Sequence, residues 1–319
     1  MPAVALATAV LLAGCGNAVS PATVLSSTGT ASPVSSTPPA ASTATPPTGT
    51  ASPDLSDSGL VDDAYRGRYR AVGTVLEAAG KGPQLCLGAI AASLPPQCSG
   101  PDVVGWSWQT VRHDEQGGTR WGSFVVVGQY DGTSFTLTEP ATVPGAHDTQ
   151  PVDQPRLDTP CPTPAGGWHP PDPATATEPA FETASQLAGR QPGFGALWID
   201  QQGALDDGST AGATAVANDP THFVLNITTT GDVPAMERVL RTVWGGSLCI
   251  TRARRTSAEL ARTRTALIGT PGMIYVSSDD RAGEVLLTVL RATNGLRRDL
   301  DHRFGAGAVR LTAALHPID

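Results

Sequence analysis

Apolar and polar positions alternate differently along successive parts of the chain. Residues 4–13 are almost all apolar, and residues 16–58 are dominated by Ser, Thr, Pro, Ala and Gly with no apolar period. From residue 59 to 140 the pattern has a period near two, as strands require. "RYRAVGTVLE", "PQLCLGAI", "DVVGWSWQTV", "RWGSFVVVGQY" and "TSFTLTE" read as five short strands. In the third of these, alternation puts Val104, Trp106 and Trp108 on one face. "DG" between the last two is a hairpin signal, and "RHDEQGG" reads as a polar hairpin turn. Five such runs predict a small all-β domain, a sandwich or more specifically an OB-like barrel.

Residues 141–192 are proline-rich and read as a linker. Beyond them the period lengthens. "VLNITTTGDVPAMERVLRTVWGGSLCIT" and "VLLTVLRATNGLRRDLDHRFGAGAVRLT" repeat one another at a spacing of about 60 residues, each in the order strand, helix, strand. Met236, Leu240 and Trp244 fall opposite Leu296, Leu300 and Phe304, an apolar stripe spaced i, i+4, i+8 in each copy. Asp232 and Thr293 are the expected N-caps, and Gly245 and Gly305 the expected helix ends. Between the copies, Thr256 and Glu259 have capping-box spacing. The fold class expected is α+β in two domains: the small β domain over 59–140, and over 193–319 an α/β sandwich of ferredoxin-like kind with a duplicated βαβ unit.

Composition and charge narrow the functional classes. The 319 residues carry a formal net charge of −8, which argues against a nucleic-acid binder. The charge is uneven: residues 54–231 hold 8 basic and 20 acidic side chains, while residues 232–319 hold 13 basic and 9 acidic. Arg252, Arg254 and Arg255, ahead of the Thr256 helix start, form a candidate anion-binding cluster, set against the plainer reading of a solvated rim. Trp106, Trp108 and Trp121 are a candidate ligand platform, set against core filling. The His113, Asp114 and Glu115 run belongs to the hairpin turn, and no metal or cofactor is expected.

The apolar run over 4–13 has the length of a signal-peptide core and is too short to span a bilayer. It closes on Leu12-Ala13-Gly14-Cys15, which resembles the lipobox of bacterial lipoproteins, and the chain resembles exported lipoproteins of actinobacterial type. That resemblance implies cleavage before Cys15, a diacylglycerol on its thiol, and a mature chain anchored to the outer face of the cell membrane. Residues 16–58 then serve as a tether, spanning about 35–40 Å as a flexible coil. Apart from Cys15, four cysteines remain: Cys86, Cys98, Cys161 and Cys249. An even set in an exported chain reads as disulfides. Of the three pairings, Cys86–Cys98 with Cys161–Cys249 is favoured because each closes within one expected domain.

The sequence contains no G-x-S-x-G, H-E-x-x-H or Walker A motif, and its six histidines are scattered. No catalytic residues are assigned, and an enzyme is not the expectation. "FGALWIDQQ" with "FVLNITTTGD" is similar to the pro-segments of α-lytic-type secreted proteases. That similarity implies a sheet face offered to a protease, and hence an inhibitor-like alternative. The leading expectation is a binding or structural module at the cell surface, whose partners are the membrane through its lipid anchor and a surface protein or cell-wall glycan.

Overall fold

The computed structural model describes residues 59–148, 157–201 and 218–318. The signal segment 1–15 with its lipobox, and the tether 16–58, lie outside them. The fold is α+β: a closed five-stranded barrel followed by two smaller sheets and, among the described residues, four α-helices.

The barrel is built from β1 (Tyr69–Glu77), β2 (Gln84–Cys86), β3 (Asp102–Val104), β5 (Thr119–Tyr130) and β6 (Ser134–Leu137). Its order is β1-β2-β3-β6-β5, and β5 pairs back onto β1 along its whole length, from Tyr69↔Gly128 to Glu77↔Arg120. All neighbours are antiparallel except β3 and β6, which run parallel. Closure removes the unpaired edges that a small open sheet would expose. The interior holds Tyr69, Val75, Leu85, Val103, Phe124, Val126 and Phe135. The polar "RHDEQGG" stretch forms the short β4 (Asp114–Gln116), which folds onto β5 through Gly117 and Gly118. Both glycines have positive φ, as a tight two-residue hairpin turn requires.

The third expected strand is shorter than its alternation suggests. β3 ends at Val104, and Gly105, with φ +85°, turns the chain into a 3-10 turn over Trp108–Thr110. Val104 is 50% exposed while Trp108 is buried, so Val104, Trp106 and Trp108 do not share a strand face.

Two copies of one longer unit follow. The first is α1 (Glu178–Gly189), β7 (Phe194–Asp200), β8 (Val224–Thr229), α2 (Val233–Leu240) and β9 (Ser247–Arg252). The second is α3 (Ser257–Leu267), β10 (Met273–Asp279), β11 (Glu284–Val289), α4 (Asn294–Phe304) and β12 (Val309–Ala313). In each copy the first strand pair is antiparallel and the second parallel. Each copy therefore makes its own three-stranded sheet. This corrects the ferredoxin-like expectation of one shared sheet. Val224 pairs directly with Ser247, and Val285 with Val309, leaving no slot for a strand to interleave.

The helix ends follow local chemistry. Asp232 accepts from the Ala235 N–H, Thr293 from the Leu296 N–H, and Thr256 with Glu259 makes a complete capping box. The two glycines at equivalent positions have different reasons to be glycine. Gly305 caps α4 with φ +86°. Gly245 lies beyond the end of α2, where a Cβ would clash with Thr175 Oγ1 and the Asp172 carbonyl. Close approach, not a left-handed backbone, excludes a side chain there. Glu237 of α2 pairs with the C-cap residue Arg241, and Arg297 with Asp301 in α4, with the charge order reversed between the copies.

Residues 178–189, read from sequence as part of the linker, form α1 on a Thr177 N-cap. Residues 157–161 lie against the first small sheet. The Trp198 indole donates to the Leu157 carbonyl (3.1 Å), the Thr159 N–H to Asp200 Oδ2 (2.7 Å) and the Asn226 amide to Thr159 Oγ1 (3.2 Å). Disulfides join Cys86 to Cys98 and Cys161 to Cys249. Residues Pro53–Asp319 group as one unit. Leu315 enters the barrel core, β13 (His316–Pro317) pairs with the start of β1, and Asp62 and Asp63 accept from Asn294 and Gly295 at the start of α4.

Candidate binding cleft

Parallel strands end on the same side of a barrel, and here that side is open. Past β3 the chain contributes Gly105, Trp106, Ser107, Thr110 and Val111 to one wall of a cleft. Past β6 it contributes Leu137 to Ala141 to the other. The cleft has a volume of about 380 Å³. The second wall is fixed because the chain continues along β5: the Thr138 N–H donates to the Val127 carbonyl (3.0 Å), and Val125 and Thr142 exchange both backbone bonds. On the first wall, Thr110 Oγ1 donates to the Ser107 carbonyl at 3.0 Å. Glu139, at the rim, is ion-paired with Arg68 at 2.6 Å.

Trp106 and Trp108 have different roles. Trp108 is buried, and its indole N–H donates to Glu77 Oε2 at 2.8 Å. Trp106 is half-buried and meets Trp108 and Phe124 edge to face, at centroid distances of 5.2 and 4.9 Å. Its Nε1 is buried and has no hydrogen-bond partner among the described residues. An unpaired buried donor costs about 1–3 kcal/mol. Trp121 does not join this group. On β5 it alternates away from Phe124, opposite Leu76 on one neighbour and Asp114 on the other. The structure therefore brings together two of the three sequence-identified tryptophans and leaves the third apart.

The arginine cluster is largely engaged within the fold. Arg252 donates to the Thr230 and Gly231 carbonyls at 3.1 and 3.0 Å. Arg255 donates to the carbonyls of Gly283 (2.8 Å), Gly307 (3.1 Å) and Ala306 (3.4 Å). Arg254 is exposed. The anion-accepting N-terminus of α3 is already met by Glu259, whose carboxylate accepts from the Thr256 N–H at 2.8 Å and the Thr256 hydroxyl at 2.9 Å. Those bonds, the backbone one first, hold the Glu259 carboxyl below its ordinary range. With the folded value depressed, the stabilisation is complete above the ordinary carboxylate range and is lost as pH falls through the folded pKa. Thr256→Ala is expected to cost about 1 kcal/mol in urea unfolding at neutral pH. It should also move the Glu259 NMR titration midpoint upward.

His113 lies against the Trp108 ring at 4.9 Å, and Glu115 pairs with Arg120 at 3.1 Å. Among the described residues, no three His, Cys, Asp or Glu side chains are grouped to hold a metal ion. Nor, among them, is any helix long and apolar enough to cross a membrane. All six residues of β8 are buried. Sequence reasoning missed the Leu137–Ala141 wall, because nothing local in that stretch announces a cleft formed with residues about thirty positions earlier.

No protein-family model matches the chain, and no curated protein shows significant similarity to it.

Proposed function

We propose that the protein is a lipid-anchored, extracytoplasmic binding module, held to the outer membrane face through Cys15 and taking a cell-wall glycan in the cleft beside Trp106. The observation that carries the reading is the half-buried indole of Trp106 in the lining of that cleft. That indole offers a surface for the apolar face of a sugar ring. Ser107, Thr110 and Thr138 supply neutral polar groups along the walls. The strand order β1-β2-β3-β6-β5 supports reading the barrel as OB-like, a fold that binds oligosaccharides as well as oligonucleotides. The net negative charge favours the former. Two disulfides are compatible with an oxidising compartment.

Soluble cell-wall glycan fragments titrated into the protein test the cleft by tryptophan fluorescence. Trp106→Ala is expected to weaken binding at least about tenfold, the scale of one lost anchor residue. Trp106→Phe should fall between the two, and Trp121→Ala should leave affinity unchanged. No binding, or unchanged binding by Trp106→Ala, rejects the glycan cleft. For the anchor, Cys15→Ser is expected to move the protein from the detergent phase to the aqueous phase on detergent partitioning. A mature protein already in the aqueous phase rejects it.

A further inference from the structure

Among the described residues that line the Trp106 cleft, one is charged: Glu139. The rest are apolar, hydroxylic or glycine, and none is an arginine, lysine or histidine. The position of Glu139 is fixed along the chain and from outside the cleft. Just before it, the Thr138 N–H donates to the Val127 carbonyl at 3.0 Å, and just beyond it the Thr142 N–H donates to the Val125 carbonyl at 3.1 Å. Pro140 follows directly and has a restricted φ. The Arg68 guanidinium donates to Glu139 Oε1 at 2.6 Å. Arg68 does not line the cleft, and its own carbonyl is tied to the fold by the Ile318 N–H at 3.1 Å and the Tyr65 hydroxyl at 3.0 Å.

The Glu139 side chain is 50% exposed and that of Arg68 37%, and a pair so open to solvent adds little stability. What the pair supplies is orientation. One carboxylate oxygen is held, while Oε2 accepts no hydrogen bond among the described residues. An oriented acceptor therefore stands at the mouth of a cleft with an aromatic wall.

We infer that Glu139 determines the specificity of this cleft: Oε2 accepts from ring hydroxyls, and its charge restricts the ligand to uncharged glycans. The inference rests on the glycan reading of the cleft. An ionised carboxylate is an acceptor only, and a sugar hydroxyl is the donor it lacks. Such charge-assisted bonds are roughly twice as strong as neutral ones. Because Arg68 already fixes the carboxylate, little side-chain freedom is lost when the ligand binds. A uronate or phosphate-bearing glycan meets the opposite situation. It finds no cation in the lining and faces a like charge. Arg68 does not cancel that charge for the ligand, since it contacts the carboxylate from outside the lining. Glu77, the acceptor for the Trp108 indole, adds a second carboxylate behind the aromatic wall.

The test uses the intact chain and soluble cell-wall fragments separated by anion exchange into neutral and acidic pools of matched length. Each pool is titrated by tryptophan fluorescence at low ionic strength, where the charge effect is least screened. The neutral pool is expected to bind at least about fivefold more tightly. Glu139→Gln keeps the size of the side chain and one acceptor oxygen but not the charge. It should weaken binding of the neutral pool at least about fivefold and narrow the preference. Glu139→Lys should reverse the preference in favour of the acidic pool, a gain that misfolding cannot produce. Equal binding of the two pools, or an affinity for the neutral pool that Glu139→Gln leaves unchanged, overturns the role of Glu139. Loss of that same binding in Trp106→Ala would then still uphold the glycan cleft. Absence of binding by both pools overturns the two together.

Discussion

Replacing Cys161 and Cys249 together by serine is expected to lower the unfolding free energy by about 4 kcal/mol. The bond joins residues 88 apart in sequence. The chain-entropy account of a loop of that length gives about 4.6 kcal/mol, against about 3 kcal/mol for the separation of 12 between Cys86 and Cys98. Cys249 is also buried in β9, beside Asn226 of β8, so its surroundings cannot relax freely. Without the crosslink, residues 157–161 keep the hydrogen bonds of Trp198, Asp200 and Asn226 to the sheet. Urea unfolding of the double variant, compared with the equivalent Cys86/Cys98 variant, measures both. A loss under about 1 kcal/mol would mean that those hydrogen bonds alone hold the strap.

The second large effect concerns the non-equivalence of the repeats. Trp244→Ala should cost about 3–5 kcal/mol, as expected for truncating a fully buried aromatic. Its ring stacks on Phe223 at 5.9 Å and meets Phe181 edge to face at 6.1 Å, and its indole N–H donates to the Ser247 carbonyl at 3.2 Å. Phe304 occupies the matching position in the second copy but is only half-buried. Phe304→Ala should therefore cost about half as much. Parallel urea titrations give the ratio. Equal losses would show that the copies share the energy of this position despite their different burial.

The parts of the fold legible in the sequence were those specified locally. β1, β5 and β6 follow from period-two runs and the hairpin signals between them. The caps at Asp232, Thr293 and Thr256 follow from side chains that accept N–H bonds three residues on. Where an element depends on what surrounds it, the pattern misled. The alternation of Val104, Trp106 and Trp108 is real, but a left-handed glycine intervenes, and aromatic packing on Phe124 sets the course of the chain beyond it. α1 sits among prolines, yet Thr177, Pro179 and the spacing of Phe181, Ala184 and Ala188 are a helix signature that composition concealed. Both small sheets contain the expected βαβ units. Whether two such units share a sheet is decided by strand adjacency, which no single-residue periodicity encodes. The cleft was half legible: tryptophan marked one wall, and the other exists only because β3 and β6 run parallel.

The pairing of His316 and Pro317 with the first barrel strand has a consequence for how the protein is made. Synthesis runs from the N-terminus, so every barrel strand is complete long before residue 315 leaves the ribosome. Until then the core position of Leu315 is unfilled and the start of β1 lacks the neighbour that covers it. A prematurely terminated product would carry an unsealed barrel, with apolar surface and an unpaired edge for chaperones and proteases to recognise. Residues 315–317 thus make the barrel depend on chain synthesised after both small sheets.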